Sequence, residues 1–170
     1  MRSSLIAVYL SMLTMNGMSH PIDPLRRSGE STIIAFQLAD STRYVSVCES
    51  QEKSYIVYRF GSAKKVEMEY PASKTKAWSR FEYSYYLRGG GANNEGLDLN
   101  YLSFINGGWK YILYEEHQAA DNRVSVGVRV INLKNNKRRE FPGLAGTLHG
   151  SLIPLRENRQ VQKGEVPEDF

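Results

Sequence analysis

The chain has 170 residues, 41% of them hydrophobic and 11% aromatic, which is material for a single core and leaves no room for a second domain once a leader is removed. Lys plus Arg number 22 against 18 Asp plus Glu, a net charge of +4, too small a surplus to point to nucleic acid as a partner. Cys48 is the only cysteine, so no intramolecular disulfide forms and the fold rests on its packing.

Residues 1–19 have the order of a secretory signal peptide. Arg2 precedes an apolar run from Leu5 to Met15, and Gly17-Met18-Ser19 supplies small residues where cleavage needs them. The run is too short to span a bilayer. A buried N-terminal element is the alternative. The expectation is an exported protein, periplasmic or secreted, with no integral membrane span and a mature chain starting near His20. Residues 20–31 are rich in Pro, Ser and charge, show no periodicity, and predict a mobile lead-in.

Strand patterns begin at residue 32. Residues 32–38 and 43–49 are rich in β-formers and flank a turn at 39–42. Cys48 falls inside the second of these and is expected to pack as a small apolar residue, the alternative being an exposed thiol that pairs with a partner. Residues 54–60 follow. In residues 65–70, Val66, Met68 and Tyr70 then alternate with Lys65, Glu67 and Glu69, the pattern of a half-buried antiparallel strand. Pro71 stops it.

The central block runs from Trp78 to Glu116. Phe81, Tyr83, Tyr85 and Leu87 share one face of a strand, and a glycine-rich loop, Arg88-Gly89-Gly90-Gly91, follows. Next comes a hairpin with Asn106-Gly107 at its turn, a pair that tolerates the positive φ such turns require. That turn predicts Phe104 opposite Trp109, Tyr101 opposite Ile112 and Asp98 opposite Glu115. Residues 123–133 form another strand with Val124, Val126, Val128 and Val130 on one face. A basic turn with Lys134, Lys137, Arg138 and Arg139 leads to a short strand ending at Pro142-Gly143. The plain reading of that turn is a solvated hairpin tip, with contact to an anionic surface such as lipid headgroups as the sharper one. Residues 155–170, charged and poor in large apolar groups, are expected to be disordered. The whole predicts an all-β domain over residues 32–154, an antiparallel barrel or sandwich of about eight or nine short strands.

Several of these segments carry a resemblance. Tyr58-Arg59-Phe60-Gly61, Arg88-Gly89-Gly90-Gly91, Asp98-Leu99-Asn100-Tyr101-Leu102-Ser103-Phe104 with Asn106-Gly107, and Gly127-Val128 resemble a group of small exported proteins of Gram-negative bacteria, over roughly residues 45–130. The resemblance implies export and a β-rich fold and supplies no activity. Some members of that group have a second cysteine towards the C-terminus, which this chain lacks. At the level of architecture alone, a small exported Tyr-rich β domain is similar to periplasmic lysozyme inhibitors.

Candidate chemistry is sparse. The glycine loop lacks the Gly-Lys-Ser/Thr ending and the following helix of a nucleotide cradle, which leaves Arg88, Gly89, Gly90 and Gly91 as a connection or an anion contact. Asp98 and Glu115, if opposite, form a carboxylate pair of the kind that does acid–base work or holds a hard cation; the bland reading is a solvated strand end. His20, His117 and His149 have no ligand spacing, and no Gly-x-Ser-x-Gly elbow occurs, so neither a metal nor a cofactor is expected. Tyrosine is abundant, with 11 in the chain. Tyr86 points away from Tyr83 and Tyr85, and two-sided aromatic decoration suits a binding face. The leading expectation is a non-enzymatic binding domain for an envelope protein or glycan, with Arg88, Gly89, Gly90, Gly91, Asp98, Tyr86 and Glu115 as contact residues. Its concrete form is an inhibitor or immunity-type protein against an envelope-active enzyme. The alternatives are a carboxylate-dependent enzyme acting on an envelope polymer and a structural envelope protein without a discrete site.

Overall fold

A computed structural model describes residues 23–167. The signal-peptide expectation for residues 1–19 lies outside the described residues. In chain order the strands are β1 (Glu30–Gln37), β2 (Arg43–Ser50), β3 (Ile56–Ser62), β4 (Lys65–Tyr70), β5 (Glu82–Arg88) and β6 (Leu97–Asn106). They continue with β7 (Trp109–Gln118), β8 (Arg123–Asn132), β9 (Arg138–Pro142), β10 (His149–Gly150) and β11 (Gln162–Lys163). The fold is all-β, with eleven strands among the described residues instead of eight or nine; β10 and β11 are two-residue pairings too short for a sequence pattern to mark.

The strands form two sheets, ordered β10-β1-β2-β3-β4 and β11-β5-β6-β7-β8-β9. Neither closes on itself, so the barrel option is corrected to two open sheets. All pairings are antiparallel except β11 with β5, which is parallel. Alternation decides what lies between the sheets. Val45, Val47 and Tyr58 of the first sheet meet Tyr83, Leu102, Phe104, Leu113, Val126 and Val128 of the second in one buried cluster. Phe104 stacks on Tyr111 at 4.9 Å and on Tyr70 at 4.4 Å between ring centroids, contacts worth about 0.5–1.5 kcal/mol each beyond area burial.

The β6–β7 hairpin is present, but its register differs from the expected one. Gly107 and Gly108 both take positive φ, 57° and 80°, so the two-residue turn sits one position later and Asn106 pairs with Trp109. Phe104 therefore faces Tyr111, Asp98 faces His117, and Glu115 faces Asn100. Each partner moves by two positions, so every side chain keeps its predicted face while the predicted Asp98–Glu115 pairing is lost.

In both flanking segments the described residues are more ordered than their composition suggested. Asp23, Leu25 and Glu30 of the expected mobile lead-in are buried. The expected disordered tail contains Leu155, which is buried in a 3-10 turn at Ile153–Arg156, then buried Val161 and strand β11. Three apolar anchors, Leu152, Leu155 and Val161, join the main core and hold this otherwise polar text in place. No helix among the described residues is long and apolar enough to cross a membrane.

Candidate functional site

The residues singled out in the sequence gather at one end of the six-stranded sheet. The glycine loop is closed on itself. Gly91 has φ 59°, Gly96 N–H donates to Gly91 O at 2.8 Å, and Asn94 Nδ2 donates to Gly89 O at 2.8 Å. Arg88 donates through Nε and Nη2 to Glu95 O at 3.0 and 2.6 Å. These two bonds make the guanidinium shape the loop, and its remaining surface, 39% exposed, lines the neighbouring cleft.

The two candidate carboxylates lie on the inner face, diagonal to each other, and each is engaged by the segment after β10. Glu115, only 2% exposed, accepts from Ser151 Oγ at 2.9 Å on both oxygens and from Leu152 N–H at 2.6 Å. His117 Nε2 lies 2.9 Å from the same carboxylate. Asp98 takes a hydrogen bond from Arg156 and another from Asn100 Nδ2 at 2.7 Å. Asn100 Oδ1 in turn accepts from Tyr83 O–H at 2.6 Å and from Arg156 Nη2 at 3.0 Å. Burial pushes the Tyr83 phenol up to about 12, against the pull of the nearby Arg156. Burial would lower the Arg156 guanidinium, but its contacts with Tyr83 and Asp98 prevail and raise it. Asp98 and Arg156 form an ion pair and the Glu115 oxygens are hydrogen-bonded, which is how buried charge is tolerated, while Arg156 Nε is left buried without a hydrogen-bond partner.

Residues 151–156 therefore act as a closing segment across the open end of the two sheets, with Glu115 and Asp98 as its two latches. Lys163 holds its far side, donating from Nζ to Leu155 O at 2.7 Å and Arg156 O at 2.9 Å while lying 5.0 Å above the Tyr83 ring. Sequence reading missed Arg156 and Lys163 because it assigned 155–170 to disorder, and Ser151 because no strand pattern marks the end of the expected β domain. The visible signal was the apolar spacing Leu152, Leu155 and Val161 within charged text. Among the described residues, no group of three or more His, Cys, Asp or Glu side chains is arranged to hold a metal ion.

Beside the latches is a shallow cleft of about 290 Å³, at the low end of ligand-site volumes. Its walls mix Leu87, Leu97 and Val124 with Arg88, Asp98, His117, Gln118 and Arg123. His117 is the polar wall residue that bridges latch and opening, since it touches Glu115 and is 38% exposed. Tyr86 stands on the opposite face of β5, next to Leu99, and is exposed. A larger hollow of about 470 Å³ opens on the outer face near Ile112, Ile131, Arg129, Arg138 and Arg139. There Arg129 is matched by Glu116 at 3.2 Å and Glu140 at 3.4 Å.

A second polar cluster lies on the outer face of the five-stranded sheet. Arg59, fully buried, forks onto Glu30 at 2.6 and 2.7 Å, reaches Glu69 at 2.8 Å and donates to Leu25 O at 3.2 Å. Asp23 accepts from Thr32 Oγ1 and Ser46 Oγ, both at 2.7 Å, and from Cys48 Sγ at 3.5 Å. Burial, with Asp23 and Glu30 nearby, pushes the Cys48 thiol up to about 12, so the expected inert, packed cysteine sits in polar surroundings.

No family model matches the chain, and comparisons with curated proteins and with solved structures return no match.

Proposed function

We propose that the chain is an exported, non-enzymatic β domain that binds an envelope partner, protein or glycan, through the cleft between the 88–96 loop and the β7–β8 turn. One observation carries this reading. Asp98 and Glu115, the acids a hydrolytic mechanism would need, are spent on holding residues 151–156, while the cleft next to them keeps an open lining of mixed polarity. Apolar patches with a few convergent polar groups are how binding sites combine affinity with orientation. The signal-peptide order of residues 1–19 supports export. An inhibitor or immunity-type protein against an envelope-active enzyme is the form that a small, rigid, exposed cleft suits.

Arg123 lies on the rim of this cleft and is well exposed, so it is the residue to alter. Wild-type and Arg123→Glu chains are immobilised and challenged with periplasmic extract, and both are titrated with soluble envelope glycan fragments. The expected result is one ligand retained by the wild type and bound at least tenfold more weakly by the variant. Identical retention by both chains would remove the cleft from the proposal.

A further inference from the structure

The six-stranded sheet is unevenly charged along its length. At the cleft end the acids Glu95, Asp98, Glu115, Glu116 and Asp121 outnumber Arg88, Arg123 and Arg156. The far end holds the tips of the β6–β7 and β8–β9 hairpins, and these lie side by side. Trp109 pairs with Asn132, Lys110 pairs with Ile131, and Leu133 N–H donates to Gly108 O at 3.0 Å. Five cations, Lys110, Lys134, Lys137, Arg138 and Arg139, gather there, and residues 105–114 and 130–139 contain no acid. Arg80 and Glu82, which line a groove with Ile105 and Lys110, balance each other in charge. Arg138 is engaged within the chain and Arg139 borders the outer hollow. Lys134 and Lys137, on the turn itself, are exposed and, among the described residues, in no ion pair.

We propose that these two tips dock the chain end-on on an anionic lipid surface, with Lys134 and Lys137 among the headgroups and Ile105, Leu133 and Trp109 dipping between them. The apolar side chains decide the occupant. Ile105 is 55% exposed and Leu133 47%. Half-buried Trp109 lies between them, since it pairs with Asn106, next to Ile105, and with Asn132, next to Leu133. Cations interleaved with apolar groups suit an interface whose outer layer is phosphate and whose inner layer is hydrocarbon. Tryptophan is favoured at headgroup depth, because its ring is apolar and its N–H is polar. A soluble polyanion supplies the charge but nothing apolar for Ile105 and Leu133 to enter.

The register sets the tips flush. Asn106, Trp109 and Asn132 form one row across β6, β7 and β8, and Ile105, Lys110, Ile131 and Arg138 form the next. Neither turn overhangs the other, so a flat surface meets both at once. Charge also favours this orientation over its reverse, because the acid-rich end is repelled by the same surface. Strand β6 has ten residues, which holds the cleft roughly 30 Å off the surface and leaves it open. The tips are thus a second surface, and their role does not rest on the cleft reading. Each cation near an anionic bilayer adds about fivefold in affinity, so a few lysines make a reversible, salt-sensitive contact.

Vesicle co-sedimentation tests this on the chain from residue 20 onward, which keeps both buried clusters and omits the apolar run from Leu5 to Met15 that would itself enter lipid. The wild type should bind vesicles of one-third phosphatidylglycerol in phosphatidylcholine at least tenfold more tightly than phosphatidylcholine alone, and lose that preference as salt rises. Trp109 emission should shift to the blue; the other tryptophan, Trp78, is already buried. Lys134→Glu with Lys137→Glu should weaken binding at least tenfold, whereas Lys64→Glu with Lys65→Glu, an equal reversal at exposed positions of the β3–β4 turn, should change it less than twofold. Ile105→Ser with Leu133→Ser should weaken it at least threefold and remove most of the blue shift. A wild type indifferent to phosphatidylglycerol would overturn the proposal, as would equal loss from the two lysine pairs. Heparin bound as tightly as vesicles, with no effect of the serine pair on either, would overturn it in favour of a general anion contact. Because the tips lie at the opposite end from the cleft, failure here leaves the cleft-binding test with Arg123→Glu unaffected.

Discussion

The two buried polar clusters do the same job with different sealing. In one, Arg59 with Glu30 and Glu69 fixes residues 23–30 to the outer face of the five-stranded sheet. In the other, Glu115 and Asp98 fix residues 151–156 across the open end of the six-stranded one. Arg59 and Glu30 are almost wholly excluded from water, at 1% and 2% side-chain exposure. The second cluster borders an opening: His117 touches the Glu115 latch, Asp98 is the other latch, and both line the cleft. Buried charge in this fold therefore fastens terminal segments, and only where the fastening reaches the surface does it adjoin a candidate site.

The largest expected effect is at Arg59. Arg59→Met leaves Glu30 buried without its counter-charge, and removing one member of a buried pair costs about 3–5 kcal/mol. Urea unfolding should show that loss, and a loss below 1 kcal/mol would mean that water reaches Glu30 in the folded chain. Glu115→Ala comes next. It orphans the Ser151 hydroxyl and the Leu152 N–H, for roughly 2–3 kcal/mol, and its distinctive sign is local: hydrogen exchange should rise across 151–163 while residues 23–30 stay protected. If both segments loosen together, the clusters are one cooperative unit and the contrast drawn above fails.

A smaller effect exposes the first cluster through pH. Burial alone would raise the Glu30 and Glu69 carboxyls, but hydrogen bonds from Arg59, joined by Arg27 at Glu30 and Lys74 at Glu69, hold both below the ordinary carboxylate value. The folded chain thus binds fewer protons at these groups than the unfolded one. Their stabilisation is complete above the ordinary carboxylate value and is lost as pH falls through the lowered folded values. Urea midpoints measured from neutral pH into acid should fall steeply for the wild type and less steeply for Arg59→Met.

Much of this architecture was legible from alternation alone. Met68 and Tyr70 against Glu67 and Glu69, or the four valines of β8, mark inner faces that the structure keeps, whereas a bulge beside Gly61 breaks the alternation before Val66. Arg59 was not legible. In Ser54-Tyr55-Ile56-Val57-Tyr58-Arg59-Phe60 it occupies an outward position that reads as solvent, and it is buried only because a distant segment carrying Leu25 and Glu30 folds over it. Likewise the hairpin was evident but its partners were not, since Asn106-Gly107 and Gly107-Gly108 both satisfy a turn that needs positive φ twice. Local pattern fixes which face a side chain takes; which carboxylate meets which cation depends on contacts distant in sequence, from Asp98 to Arg156 for instance.

The smallest effect makes Cys48 a reporter for the first cluster. Its thiol is fully buried and held up near 12, so at neutral pH almost none is thiolate, the reactive form. Labelling by a disulfide reagent should be slow in the folded chain and governed by opening of the lead-in over Ser46 and Cys48. Asp23→Asn replaces one acceptor of Ser46 and Thr32 with an amide, a modest local loosening that should speed labelling several-fold without moving the urea midpoint by much. Glu115→Ala should leave the labelling rate nearly unchanged if the clusters open separately, because distant sites without shared partners act additively. Equal acceleration by both variants would show the sandwich opening as a whole, with the lead-in and the closing segment released in the same event.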